Sequence, residues 1–208
     1  MRNVSTKTVG MVQVALFAAL IVIMSATPLG YIPLGFMRAT IIHVPVILGS
    51  ILLGPKKGAI LGFIFGLTSF VNNTLNPLIT SFVFTPFYSL GEFSGGFGSI
   101  ITCFVPRILI GVFPWFVYRG LRKICKKPLL PLGVAGIIGS LTNTILVMGS
   151  ILFFFKDSYA AAREVAADAI YKVIATTVVV NGIPEAIVAA ILVAFVGRIF
   201  VSGKFIKM

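Results

Sequence analysis

The chain has 208 residues, of which 58% are hydrophobic and only 11% are charged, and its formal net charge is +12. Soluble domains carry about 25% charged residues, so this composition excludes an ordinary soluble protein and predicts an integral membrane protein. We expect one transmembrane domain over residues 1–208, with no soluble domain attached.

Six apolar runs predict membrane-spanning helices, at residues 9–26, 40–53, 58–71, 99–118, 132–155 and 173–196. A spanning helix needs about 20 residues, because the hydrocarbon core is about 30 Å thick and a helix rises about 1.5 Å per residue. The second and third runs are short by this measure, and a Gly-Pro turn separates them. Short segments interrupted by glycine or proline often accompany a binding site in transporters. The predicted fold class is an all-α membrane protein with six transmembrane helices.

The charges orient this bundle in the membrane. If the N-terminus is cytoplasmic, the inner loops and termini carry most of the 17 Lys and Arg residues and no acid. The positive-inside rule therefore predicts that both termini are cytoplasmic. Cleavage of the first run as a signal peptide is the alternative, but it would leave five spans and remove this symmetry. The basic inner face suits anionic lipid headgroups or an acidic partner rather than nucleic acid.

The first span carries two alanines, Ala15 and Ala19, four residues apart. Small residues at this spacing share one helix face and let another helix approach closely in a membrane. The neighbour is either another helix of this chain or a separate subunit, and spacing alone leaves both open.

One arginine, Arg107, lies inside the fourth apolar run. A cation at this depth costs at least about 2.5 to 3.5 kcal/mol, so we expect it to face a protein interior or a wet cavity. Asn143, Asn181 and Glu185 lie at similar depth in the last two spans, which indicates one polar chamber for a small molecule. Pro184, between the last two of these residues, is expected to distort its helix.

Each of these side chains has a functional and a structural interpretation. A guanidinium group at position 107 matches a substrate carboxylate in geometry and charge, whereas a structural ion pair with Glu185 is the alternative. Asn143 and Asn181 each offer hydrogen-bond donors and an acceptor to a ligand, or to a neighbouring helix.

Further candidates for substrate contacts lie nearer the predicted outer surface. Asn72 and Asn73 follow the third run in a predicted loop, where turn chemistry alone also explains asparagine. Tyr88 is expected to wall the pocket or to belong to an interfacial aromatic belt. Arg38 is either a second contact for an anion or a snorkelling residue, and His43 is either a ligand contact or a packed core histidine.

Two outer connections complete the prediction. The alanine-rich stretch 156–172 predicts a short helix that acts as a lid. The glycine-rich stretch 91–98 lacks the strand and basic residue of a phosphate-binding loop, so a flexible loop is expected there.

Residues required for common catalytic chemistries are missing. The chain has no GxxxxGK[ST] loop for ATP hydrolysis, and its single histidine, His43, cannot form a two-histidine zinc site. Glu185 is the only acid within a predicted span, so a second carboxylate for a protease is lacking. We therefore expect no enzymatic activity, cofactor or metal, with a small channel or membrane enzyme as alternatives to a binding protein.

The sequence also resembles a known family. The resemblance rests on four segments, which are residues 32–62, Phe65-Gly-Leu-Thr-Ser69, Ser81-Phe-Val-Phe-Thr-Pro86 and Val105-Pro-Arg-Ile-Leu-Ile-Gly111. They resemble the S component of energy-coupling factor (ECF) vitamin transporters, and within it the pantothenate-type branch.

The resemblance implies a substrate-binding protein of six helices with cytoplasmic termini and no ATPase activity. It implies docking through Ala15 and Ala19 of the first helix onto a transmembrane coupling subunit, which carries two cytoplasmic ATPase subunits. The vitamin is expected to bind near the outer face. Pantothenate is the expected substrate, with pyridoxine, riboflavin or folate as alternatives.

Overall fold

The computed structural model describes residues 5–27, 30–34, 37–166 and 169–202. Nine α-helices are present within these ranges: α1 Thr6–Ser25, α2 His43–Leu53, α3 Pro55–Leu75, α4 Phe97–Ile110, α5 Phe113–Arg122, α6 Leu129–Phe154, α7 Lys156–Ala162, α8 Ile170–Thr177 and α9 Ile183–Ser202. Two short antiparallel hairpins join helices: β1 Tyr31–Leu34 with β2 Met37–Thr40, and β3 Ser89–Leu90 with β4 Phe93–Ser94. The protein is thus an all-α membrane protein with two small hairpins in its connections.

Five helical segments of the described chain are long and apolar enough to cross a membrane. They are Lys7–Ser25, Pro55–Leu75, Phe97–Arg122, Leu129–Phe154 and Ile170–Val201. Helix α2 is apolar but has only 11 residues, so at about 1.5 Å per residue it covers roughly half of a bilayer core.

Helix α2 is short because a turn ends it and the next helix starts at once. Gly54 has a φ of 93°, a conformation that favours glycine, and Pro55 occupies the first turn of α3, where its missing N–H is not needed. Most of α2 is buried in the bundle. The expectation that the third span is also short was wrong, because α3 has 21 residues.

The fourth predicted span is a pair of helices. Helix α4 ends at Ile110 and α5 begins at Phe113. Between them, Gly111 packs directly against the backbone of Gly58 in α3, and a Cβ atom at either glycine would collide with the carbonyl of the other. This contact brings α3 close to the α4–α5 junction.

The last span is irregular. Helix α8 continues into a π-helical turn, Val178–Gly182, in which the N–H of Ile183 donates to the carbonyl of Val178. Pro184 follows and has no N–H for the carbonyl of Val180 four residues earlier. The irregularity lies where the proline predicted it.

The connections at 91–98 and 156–172 differ from expectation. The stretch 156–172 is not one helix, because α7 ends at Ala162 and Glu164 has a φ of 54°. The glycine-rich stretch 91–98 contributes to the β3–β4 hairpin and to the start of α4 rather than forming a flexible loop.

Two buried apolar clusters hold the bundle together. The first includes Ile21, Ile47 and Leu132, and the second includes Phe82 and Tyr159. Tyr31 of the first cluster, and Val147 and Met148 of the second, also line the candidate site.

Candidate ligand site

Two small cavities adjoin each other inside the bundle, with volumes of about 50 and 60 Å³. Both are lined by Thr40, Phe84 and Arg107, so these three side chains form the boundary between them. The first cavity is completed by Tyr31, Ser69, Asn73, Leu78 and Thr80. The second is completed by Asn143, Thr144, Val147, Met148, Thr177, Asn181 and Glu185.

The four intramembrane residues Arg107, Asn143, Asn181 and Glu185 therefore line one cavity. They come from α4, α6, the π-helical turn and α9. Polar side chains in a bilayer turn toward the bundle interior, because lipid cannot satisfy them.

Arg107 is 5% exposed, and the local sequence determines its position. Pro106 has no N–H, so the carbonyl of Thr102 lacks its usual helical donor. Nη1 of Arg107 donates to this carbonyl at 2.8 Å. The proline and the arginine thus act together to keep the guanidinium against its own helix.

The other N–H groups of this guanidinium make few hydrogen bonds. Nη2 of Arg107 lies 3.5 Å from Oγ of Ser69, and the guanidinium carbon lies 5.0 Å from the ring centre of Phe84 and 5.7 Å from that of Phe65. Nε is buried without a hydrogen-bond partner among the described residues. Arginine has five N–H groups, so this side chain retains capacity for an anion.

Glu185 ties the β1–β2 hairpin to the last span. Its Oε1 accepts a hydrogen bond of 2.8 Å from the backbone N–H of Thr40. None of the described hydrogen bonds joins Arg107 to Glu185. The ion pair that we considered between them is thus absent from the described contacts, although both line the same cavity.

Unsatisfied polar atoms border the second cavity. Oδ1 of Asn143 and Oγ1 of Thr40 are buried and have no hydrogen-bond partner among the described residues. A buried polar atom without a partner costs about 1 to 3 kcal/mol, and a bound ligand would recover this free energy. Val147 and Met148 provide an apolar wall beside these groups.

The two asparagines at the end of α3 differ from each other. Asn73 lines the first cavity, but its amide is engaged: Nδ2 donates to the carbonyl of Ser69 at 2.9 Å, and Oδ1 accepts from Oγ of Ser81 at 2.8 Å. Asn72 instead accepts from Nδ2 of Asn76 and borders a separate groove. The predicted loop position of Asn72 and Asn73 was wrong, because α3 extends to Leu75.

Two other candidates, His43 and Tyr88, do not line either described cavity. His43 is buried at the start of α2, where backbone groups of Thr40 and Glu185 lie next to its ring. Tyr88 packs against the second apolar cluster. The side chain of Arg38 lies outside the described residues.

Sequence analysis missed several residues that line the cavities. Thr177 precedes Asn181 and Glu185 by four and eight residues, so a polar stripe at helical spacing is a signal for it. Tyr31 lies in β1, where its hydroxyl is 3.4 Å from Oγ1 of Thr68.

Ala15 and Ala19 are exposed on α1. At about 100° per residue they point away from Ile21, which is fully buried in the first cluster. Packing of the two alanines within this chain, one of the two interpretations of their spacing, is therefore contradicted. They form a small-residue strip on the outer surface of the bundle.

Comparisons with known proteins indicate one family over most of the chain. The family model for the substrate-specific component of ECF transporters matches residues 10–197. The chain is 39% identical over 161 residues to the pantothenic acid transporter PanT of Lactococcus lactis subsp. cremoris, covering 74% of this chain and 80% of the relative. It is 30% identical over 204 residues to the pantothenate transporter PanT of Leuconostoc mesenteroides subsp. mesenteroides, covering 95% and 94% of the two chains.

Proposed function

The chain belongs to the family of substrate-specific components of ECF transporters, and from this premise we propose that it binds pantothenate for import across the bacterial cell membrane. The observation that carries the proposal is the buried guanidinium of Arg107, which has an unpartnered Nε at the boundary of two cavities. Both of the relatives described above are named for pantothenate transport.

The chemistry of pantothenate suits this site. The molecule has one carboxylate, an amide, two hydroxyl groups and a pair of methyl groups. We assign the carboxylate to Arg107, because a lone anion at this depth needs a cation beside it. Asn143, Asn181 and Glu185 then receive the hydroxyl and amide groups, and Val147 lies against the methyl groups.

The cavities must join for this ligand to fit. Sites for drug-sized ligands occupy about 300 to 1,000 Å³, whereas these cavities measure about 50 and 60 Å³. Phe84 borders both, and its side chain is partly exposed. We propose that Phe84 moves aside when the ligand enters, so that one molecule occupies both cavities.

The arrangement in the membrane and the partners are part of the same proposal. If the β1–β2 hairpin and α2 together form one pass, the chain crosses the membrane six times. Both termini then lie on the same side, which we assign to the cytoplasm. The exposed strip of Ala15 and Ala19 is assigned to a transmembrane coupling subunit, which brings two cytoplasmic ATPase subunits. The chain itself is assigned ligand binding and no enzymatic activity.

Titration calorimetry of the purified chain tests the substrate assignment. We expect saturable binding of pantothenate and no heat of binding for pyridoxine, riboflavin or folate. Binding of one of these other vitamins in place of pantothenate would refute the substrate and retain the family. Ion current in planar bilayers without binding of any vitamin would instead support a channel.

A transport assay with the isolated chain tests whether import requires the partner subunits. Liposomes that contain only this protein and ATP should not accumulate labelled pantothenate, because the sequence has no P-loop motif for nucleotide. Addition of the coupling and ATPase subunits should start accumulation. Concentrative uptake by the chain alone would contradict the proposed role.

A further inference from the structure

Helix α5 presents a stripe in which aromatic residues give way to basic residues. Phe113, Phe116 and Arg119 follow each other at three-residue intervals, and Lys123 lies four residues further on. All four side chains are exposed, and α5 is the end of a segment long and apolar enough to cross a membrane. Three- and four-residue steps place side chains on one helix face, so this stripe runs from apolar to cationic along the outside of the bundle.

The two cations of the stripe are Arg119 and Lys123, and a ring contact positions the first of them. The guanidinium carbon of Arg119 lies 4.8 Å from the ring centre of Trp115, which fixes the side chain by a cation–π contact. Lys123 is the C-cap residue of α5, in helical conformation. Gly120 follows Arg119 in the chain, and no described residue lies within 4 Å of the position that its Cβ would occupy, so the surface there is open.

The neighbouring arginine has a different task. Nη1 of Arg122 donates to the carbonyls of Cys125 and Lys126, at 2.9 and 2.7 Å. It therefore closes the turn after α5 and is engaged. Arg119 and Lys123 therefore remain available to a partner outside the chain.

We infer that this stripe binds an anionic phospholipid, with the phosphate between Arg119 and Lys123 and an acyl chain along Phe113 and Phe116. The exposed rings favour a lipid over an acidic protein surface, because a lipid supplies an apolar chain directly next to its charge. Trp and Tyr side chains are enriched at the level of the headgroups, where Trp115 would place Arg119, and cations near the membrane surface attract anionic lipid. The inference is independent of the substrate.

The protein contains a single tryptophan, Trp115, and this residue lies beside the stripe. The chain is reconstituted in phosphatidylcholine vesicles that contain brominated phosphatidylglycerol or brominated phosphatidylcholine, and quenching of tryptophan fluorescence is measured. We expect phosphatidylglycerol to be preferred by at least about fivefold, since each cation near the surface adds attraction for anionic lipid. The preference should fall at high salt.

The double variant Arg119→Gln/Lys123→Gln should reduce the preference to about one. The matched control is Lys126→Gln/Lys127→Gln, which removes the same charge from the following turn and should leave the preference unchanged. Because each ratio is measured within one variant, altered intrinsic fluorescence of Trp115 does not affect it. If Arg119 and Lys123 only stabilised the C-terminal end of α5, their replacement would leave the preference for phosphatidylglycerol unchanged.

Two results would overturn the inference. Equal quenching by the two brominated lipids in the wild-type protein would mean that no anionic lipid binds the stripe. An equal loss of preference in the two double variants would mean that diffuse charge, rather than the stripe on α5, attracts the lipid.

Discussion

Replacement of Arg107 by alanine should weaken pantothenate binding by about tenfold to a hundredfold, measured by titration calorimetry. Hydrogen bonds to charged groups contribute about 1.5 to 3 kcal/mol, and each 1.4 kcal/mol corresponds to a factor of ten. Arg107→Lys should rescue binding only partly, since an ammonium keeps the charge but loses the planar fork.

The structural contacts of Arg107 require a control for this prediction. Nη1 satisfies the carbonyl of Thr102, so the alanine variant also removes an internal hydrogen bond and lowers stability. An analogue with an alcohol in place of the carboxylate separates the two effects. It should bind the wild-type protein poorly and should be little affected by Arg107→Ala. Equal losses for acid and alcohol would mean that Arg107 maintains the bundle and that the substrate is recognised elsewhere.

The intramembrane part of the site could be predicted because the bilayer restricts where polar groups lie. Arg107, Asn143 and Glu185 come from three different helices, yet each has to avoid lipid, and they line one cavity. The position of a polar residue within an apolar run can be read from the sequence, so these three residues could be grouped without knowledge of their contacts. Which groups pair with one another was not visible, and Glu185 bonds the backbone of Thr40 in a hairpin that pattern alone did not indicate.

Contacts between distant segments determine what the sequence left open. The close approach of Gly111 to Gly58, more than 50 residues earlier in the chain, was not visible in the sequence, whereas the break between α4 and α5 lies at Pro114, which has no N–H for the carbonyl of Ile110. The difference between Asn72 and Asn73 depends on the extension of α3, because neighbouring residues of a helix point about 100° apart. A loop would have left both side chains free to reach the same pocket.

Replacement of Ala15 and Ala19 by leucine should abolish ATP-driven uptake while leaving the affinity for pantothenate nearly unchanged. Both alanines are exposed and lie on the face of α1 that points away from the packed bundle, so larger side chains fit the isolated protein. In a complex they would separate two helices whose association depends on close packing of small residues. Co-purification with the coupling subunit, together with uptake by the reconstituted complex, measures the effect.

The matched control for this pair is Ala175→Leu, another exposed alanine within a membrane-spanning segment but on α8. It adds the same bulk per substituted position, and half of the total volume, to the outer surface at a different helix, so complex formation and uptake should remain at the wild-type level. Loss of uptake in this control as well would mean that added bulk anywhere on the surface disturbs transport. Undiminished co-purification of the Ala15/Ala19 variant would place the coupling subunit on another surface.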